Sequence, residues 1–279
     1  MSIRLSRLSR WIFLHCCAVV LVVFVLFPYY WLVISSFKPL PELTRGTPTL
    51  FPESFTLQHY LRILRESEFG RYLFNSTIVA GMTSVVSTIM AVGAGYATTR
   101  LRFPERGFIT RLLLVGYMFP QVLVLVPLYT MMARLGLTNS LLGLTIVYIG
   151  LVAPFGAWLL RGFFASVPRD LEDAALVDGA SRVEALRWIF LPLVVPGIIS
   201  TILYTFIMSW SEYMFALVFI TSDINKTVPL GLEAWMTQYT VEWGSLTAAA
   251  VLASLPALLF FVVTSRFSRV FLYEGAIKG

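Results

Sequence analysis

The 279-residue chain has very little charge: Asp, Glu, Lys and Arg make up 13% of it, against 58% hydrophobic residues. Soluble domains carry about 25% charged residues, so this chain cannot cover a water-facing surface of ordinary size. With a mean hydropathy of +0.80, it falls in the integral membrane class. Cysteine is nearly absent. Cys16 and Cys17 are adjacent, and neighbouring cysteines rarely bridge, which excludes a disulfide framework. Both read as small hydrophobes in an apolar run. Histidine is as scarce: only His15 and His59 occur. Neither stands beside cysteines at metal-ligand spacing, and no paired Ser/His/Asp arrangement is visible. A G-x-x-x-x-G-K-[ST] phosphate loop is missing too, and no low-complexity tract or soluble second domain appears.

What is present is long apolar runs. About 20 mainly apolar residues span a bilayer, and six stretches qualify: Trp11–Ser36, Tyr72–Thr99, Phe108–Ala133, Leu141–Phe164, Trp188–Ile220 and Leu246–Arg266. The first follows Arg4, Arg7 and Arg10 as a signal peptide would. Its length and the lack of a small-x-small site fit an uncleaved spanning helix instead. The fifth is too long for one simple crossing, and Pro192 and Pro196 are expected to break it near its start. Pro120, Pro127 and Pro154 are expected to lie inside spans whose neighbours satisfy the freed carbonyls. The net charge of +6 reflects loops facing anionic lipid rather than a nucleic-acid site. Placing both termini inside puts 14 of the 21 basic residues there, as the positive-inside rule prefers. The fold expected is all-α integral membrane, six transmembrane helices, N-in/C-in, forming one domain over residues 1–279. In the second span Gly81, Ser84, Thr88, Ala91, Gly95 and Thr98 share a face, which suits close packing within the chain.

Two loops exceed mere connections. Residues 38–71 lie outside and carry Pro39, Pro41, Pro48 and Pro52. Residues 165–187 lie inside and carry Asp170, Glu172, Asp173, Asp178 and Glu184. In the inner loop Pro168 precedes a helix start whose first turn is acidic, as the dipole prefers. Ala174 and Ala175 leave a shallow face. Gly179 fits a left-handed helix end, and Ser181 with Glu184 forms a capping box for a second helix. Local physics thus gives helix, glycine turn, helix, and a place for something to dock.

The pattern Asp173-Ala174-Ala175, Gly179, then Ile189-Phe190-Leu191-Pro192 resembles the EAA signature of ABC importer permeases, with Asp173 in place of the usual Glu. Phe55-Thr56-Leu57 with Tyr60, Leu159–Phe164 and Gly275–Gly279 are similar to the maltose-type carbohydrate branch. The resemblance implies a coupling helix seated on a separate ATP-binding subunit, with Glu172, Asp173, Ala174, Ala175, Asp178 and Gly179 at the contact. It implies a 267–279 tail whose Gly275, Lys278 and Gly279 reach the ATPase pair. It further implies a non-catalytic subunit that binds no cofactor itself, ATP and Mg being held by the partner. The partners implied are a second permease in a heterodimer, two ATP-binding subunits and an extracytoplasmic binding protein, all at the bacterial inner membrane. The expected function is carbohydrate import by alternating access. An importer for a polyol or glycerol phosphate, an ion-coupled secondary transporter and a non-transport membrane scaffold remain as alternatives. Secondary transporters usually show inverted repeats or several intramembrane acids, whereas one is evident here. That acid is Glu212, and an ionisable group at membrane depth marks a functional site by default. With Trp210 and Tyr213 it either lines a translocation path or clasps a partner permease or neighbouring helix.

Overall fold

The computed structural model describes residues 2–236 and 241–276, with side chains from 11 to 266 apart from 234 within that range. In chain order the main helices are α1 (Ser2–Ser36), α2 (Gln58–Glu66), α3 (Phe69–Arg100), α4 (Arg106–Met118), α5 (Gln121–Arg134), α6 (Leu141–Ser166), α7 (Asp170–Val177), α8 (Arg182–Leu193), α9 (Val195–Trp210), α10 (Met214–Phe219) and α11 (Trp243–Ala276). Among the described residues the β structure is one isolated bridge, Met236 to Val241. Helices α1, α3, α6 and α11 are each long and apolar enough to cross a membrane unbroken. The pairs α4–α5 and α8–α9 are bent by 97° and 77° and count as further spans only if each pair is one.

Proline explains both bends. Val194, between Pro192 and Pro196, leaves helical geometry at φ −97°, ψ 7°, where the sequence places the break. Pro127 and Pro154 do lie inside helices. Pro120 stands at the junction of α4 and α5, so the third apolar stretch is bent there rather than one straight helix. Phe119 ahead of it adopts φ −68°, ψ 132°, the extended state that a following proline enforces. The helix then restarts with Pro120 as its N-cap. The C-terminal helix also runs further than its apolar stretch, continuing to Ala276.

The chain divides into two compact units. Residues 1–67 and 232–254 form one, and 68–231 with 255–279 form the other. In the larger unit, α3, α6 and α9 pack together. Without a hydrophobic drive between helices in lipid, close approach and dispersion must hold them. The small face of α3 supplies that approach: Ser84, Thr88, Ala91, Gly95 and Thr98 are buried. A Cβ on Gly95 would stand 3.0 Å from the Phe164 ring and 3.2 Å from the Arg161 amide. One core cluster gathers around Tyr148, with Leu144, Phe215 and Phe219; another gathers around Phe164, with Leu160, Phe190 and Val194. The first supports the bend at Glu212 and the second supports the 165–187 segment.

In the smaller unit the 38–66 chain folds on itself. Lys38 donates to the Thr49 carbonyl at 2.5 Å, and Glu42 accepts from the Thr49 hydroxyl at 2.5 Å and the Glu53 amide at 3.1 Å. Ser36 and Tyr60 hydroxyls meet at 2.7 Å. Arg62 pairs with Glu242 at 2.8 Å.

Candidate functional site

The 165–187 segment folds as its residues dictate. Helix α7 opens with Asp170, Glu172 and Asp173 in its first turn, where partial positive charge favours them. It closes on Gly179, whose φ of +89° suits a residue without Cβ. The Gly179 amide donates to the Leu176 carbonyl at 3.2 Å and Ala180 to Ala175 at 3.0 Å, capping carbonyls that would be orphaned. The capping box forms: the Glu184 amide donates to Ser181 Oγ at 3.3 Å and the Ser181 amide to Glu184 Oε2 at 2.8 Å.

Exposure sorts the expected contact residues. Asp173, Ala174, Asp178 and Gly179 are exposed and Ala175 is half-buried. Glu172 is different. It is buried, 3.2 Å from the Tyr96 hydroxyl and 3.9 Å from Arg100. The sequence pattern did not anticipate the apolar side of this surface. Val177 is 87% and Val183 73% exposed, and Leu171 and Leu176 on α7 are exposed as well. Two valines flanking the glycine turn of a polar loop were the available signal, since exposed apolar groups at a fixed site mark interaction surfaces.

Glu212 occupies the break between α9 and α10. One carboxylate oxygen accepts from the Phe215 amide at 2.8 Å, and the other from the Ala216 amide at 3.2 Å and the Tyr148 hydroxyl at 2.5 Å. It caps α10 and ties it to α6. A small cavity of about 40 Å³ opens here, lined by Gln121, Tyr148, Tyr204, Ser209 and Glu212 among others. Gln121 and Tyr204 were not foreseen, because the bend at Pro120 brings the first of them in. Trp210 is turned elsewhere, buried and stacked on Phe206 at 5.6 Å. Tyr213 is 38% exposed and does not line this cavity.

The remaining candidates are quickly placed. His15 Nδ1 lies 2.8 Å from the Trp11 carbonyl one turn back, and His59 Nε2 lies 3.0 Å from the Lys38 carbonyl. Among the described residues no three His, Cys, Asp or Glu side chains group as a metal site would need. Gly275 sits in the last turn of α11; Lys278 and Gly279 lie outside the described residues.

Residues 85–271 match the family model of the binding-protein-dependent transport system inner membrane component. The chain belongs to that family. The match begins inside α3 and takes in both the 165–187 segment and the Glu212 bend. This inner membrane component is 36% identical to the diacetylchitobiose uptake system permease protein of Streptomyces coelicolor, covering 94% of this chain and 95% of the relative. It is 34% identical to the trehalose/maltose transport system permease protein of Thermococcus litoralis, with 94% and 95% covered. Its fold matches a chain in the crystal structure of a bacterial ABC transporter importing the acidic polysaccharide alginate, with a TM-score of 0.79, 23% identity, and 93% and 97% of the chains covered. Permeases of this family are membrane subunits without catalytic chemistry of their own.

Proposed function

We propose that this chain is the permease subunit of an ATP-driven importer that moves a carbohydrate by alternating access. The observation that carries the reading is the exposed helix, glycine turn and capped helix at 170–185, a shaped surface within the family-matched region. Diacetylchitobiose, trehalose and maltose are named for the relatives, which supports a carbohydrate here. In this reading the whole chain is one transmembrane domain. It has six spans, both termini inside, and each bent helix pair counts as a single crossing. Its partners are a second, different permease chain, two subunits that hold ATP and Mg, and an extracytoplasmic binding protein.

Asp173, Ala174, Ala175, Asp178 and Gly179 form the contact with the ATP-binding subunit, joined by Val177 and Val183. Glu212 clasps α10 to α6 and lines the small cavity beside it, so the clasp and the path meet in one residue. The tail with Gly275, Lys278 and Gly279 reaches the ATPase pair. Deleting Gly275–Gly279 leaves insertion intact and lowers ATP-driven uptake in reconstituted complexes; equal ATPase and transport rates with and without these residues would remove the tail from the mechanism. The central test is co-purification with an ATP-binding subunit, followed by uptake with the cognate binding protein across a sugar panel. A chain that purifies alone and transports with an ion gradient but no ATP would overturn the reading.

A further inference from the structure

Only one side chain of α7 is buried, and it is an acid, Glu172. The helix that meets the ATP-binding subunit is therefore held at this point by a charge rather than by an apolar stripe. Its partner is Arg100, on the last turn of α3, with 3% of its side chain exposed. Arg100 Nη1 lies 3.9 Å from Glu172 Oε2. Its Nη2 donates to the Phe164 carbonyl at 2.6 Å and to the Val167 carbonyl, in and just past the last turn of α6, where helix carbonyls have no internal partner. The guanidinium also lies 4.6 Å over the Phe190 ring of α8. Tyr96, one turn earlier on α3, donates its hydroxyl to Glu172 at 3.2 Å. A single planar cation on α3 thus bonds the end of α6, covers a ring of α8 and faces the acid of α7. The planar fork holds the two carbonyl bonds and the acid in one fixed arrangement while its face lies over the ring; an ammonium is a point charge on a flexible stem.

We propose that Arg100 is a positioning residue: it latches α7 to the ends of α3 and α6, so that displacement of α7 by the ATP-binding subunit carries those helices with it. The proposal rests on the docking reading of α7 and deepens it. A latch of apolar contacts could slide, whereas a buried, hydrogen-bonded charge has one geometry and a large penalty for leaving it. The role is in transmission rather than docking, because the Arg100 and Glu172 side chains are only 3% and 11% exposed, at the floor of a cavity they share with Asp173 and Leu176.

The test uses the complete transporter in liposomes with its loaded binding protein, and reads uptake per ATP hydrolysed. Glu172→Gln keeps the shape of the side chain and an acceptor for Tyr96 but removes the charge. Arg100→Lys keeps the charge but loses the fork. Each is expected to assemble normally and hydrolyse ATP while uptake per ATP falls about tenfold, a coupling loss of ordinary size. The Arg100→Lys/Glu172→Gln double variant is expected to be no worse than either single, since both break one interaction. Should one variant fail to assemble, Tyr96→Phe, which removes a single hydroxyl, is expected to lower the same ratio by a smaller factor. An unchanged ratio in the assembled variants, or additive losses in the double, overturns the latch. Ala175→Arg separates the two readings. If it still binds the ATP-binding subunit and transports normally, the docking reading falls and the latch with it. An unchanged ratio in the latch variants beside a dead Ala175→Arg overturns the latch alone.

Discussion

The two long loops satisfy their buried charges differently. In the 38–66 chain, Lys38 and Glu42 are buried and the loop's own backbone and hydroxyls satisfy them. In the 165–187 segment the acids Asp170, Asp173 and Asp178 face outward, two exposed valines accompany them, and only Glu172 turns in. The first loop satisfies these two buried charges largely from within itself. The second satisfies its one buried acid from another helix, through Tyr96 and Arg100 of α3. Loop length alone does not distinguish the two; they differ in whether a buried charge is satisfied inside the loop or by a neighbouring helix.

The largest effect that would sharpen this contrast is expected from Ala175→Arg. A long cation in the half-buried alanine step should abolish co-purification with the ATP-binding subunit and reduce uptake to background, with the spans still inserted. Retained complex would show that the 165–187 surface is not a docking surface. Next comes Glu212→Leu, outside both loops. It leaves the Phe215 and Ala216 amides and the Tyr148 hydroxyl without an acceptor, at about 1–3 kcal/mol for each buried group. A lowered melting temperature of the purified complex checks it, and an unchanged one would remove the clasp. Gly179→Val follows, forcing a β-branched residue to a φ of +89° at roughly 1–2 kcal/mol. Uptake should fall while insertion holds; wild-type uptake would show that the turn's geometry is not read by a partner.

The smallest effect is expected from pH on the 38–66 loop. The Thr49 hydroxyl foremost, with the Glu53 amide and Lys38, holds the Glu42 carboxyl below its ordinary value. A group depressed in the folded state stabilises it above the unfolded pKa and loses that contribution as pH falls through the folded value. Protection of this loop from proteolysis should therefore be constant at neutral pH and decline only below the ordinary carboxylate range. Thr49→Val should move that decline upward. Loss of protection between pH 6 and 8 would contradict the self-satisfied loop.

Several features of the site are local, and local chemistry announces them. Gly179 ends a helix because it alone adopts positive φ cheaply, and Ser181 with Glu184 caps the next because three residues separate them. The break between Pro192 and Pro196 needs only the ring's exclusion of helical bonding. The small face of α3 repeats at helical spacing and packs inside the chain. Other features depend on what stands nearby. Pro120 breaks its span while Pro154, of the same residue type, rides inside α6, packed along α3 and α9. Glu172 and Asp173 are adjacent and chemically alike, but one step along a helix turns a side chain by about 100°, and only the position of Tyr96 and Arg100 selects which acid is covered. Trp210 and Tyr213 flank Glu212 in sequence and part from it in space, because the chain leaves helical geometry there.

By itself the sequence determined the membrane class, the long apolar helices, the two functional-looking loops and the caps that end and start α7 and α8. Each follows from composition, or from bonds between residues a few positions apart, which hold wherever the helix is placed. Only the tertiary structure decided that Glu172 faces inward, that Glu212 meets Tyr148 from 64 residues away, and that Arg100 reads the end of α6 across a similar interval. Those contacts join distant segments. A buried charge or carboxylate is satisfied by whichever donors the packing of α3, α6 and α9 delivers, and no spacing in the sequence encodes that delivery.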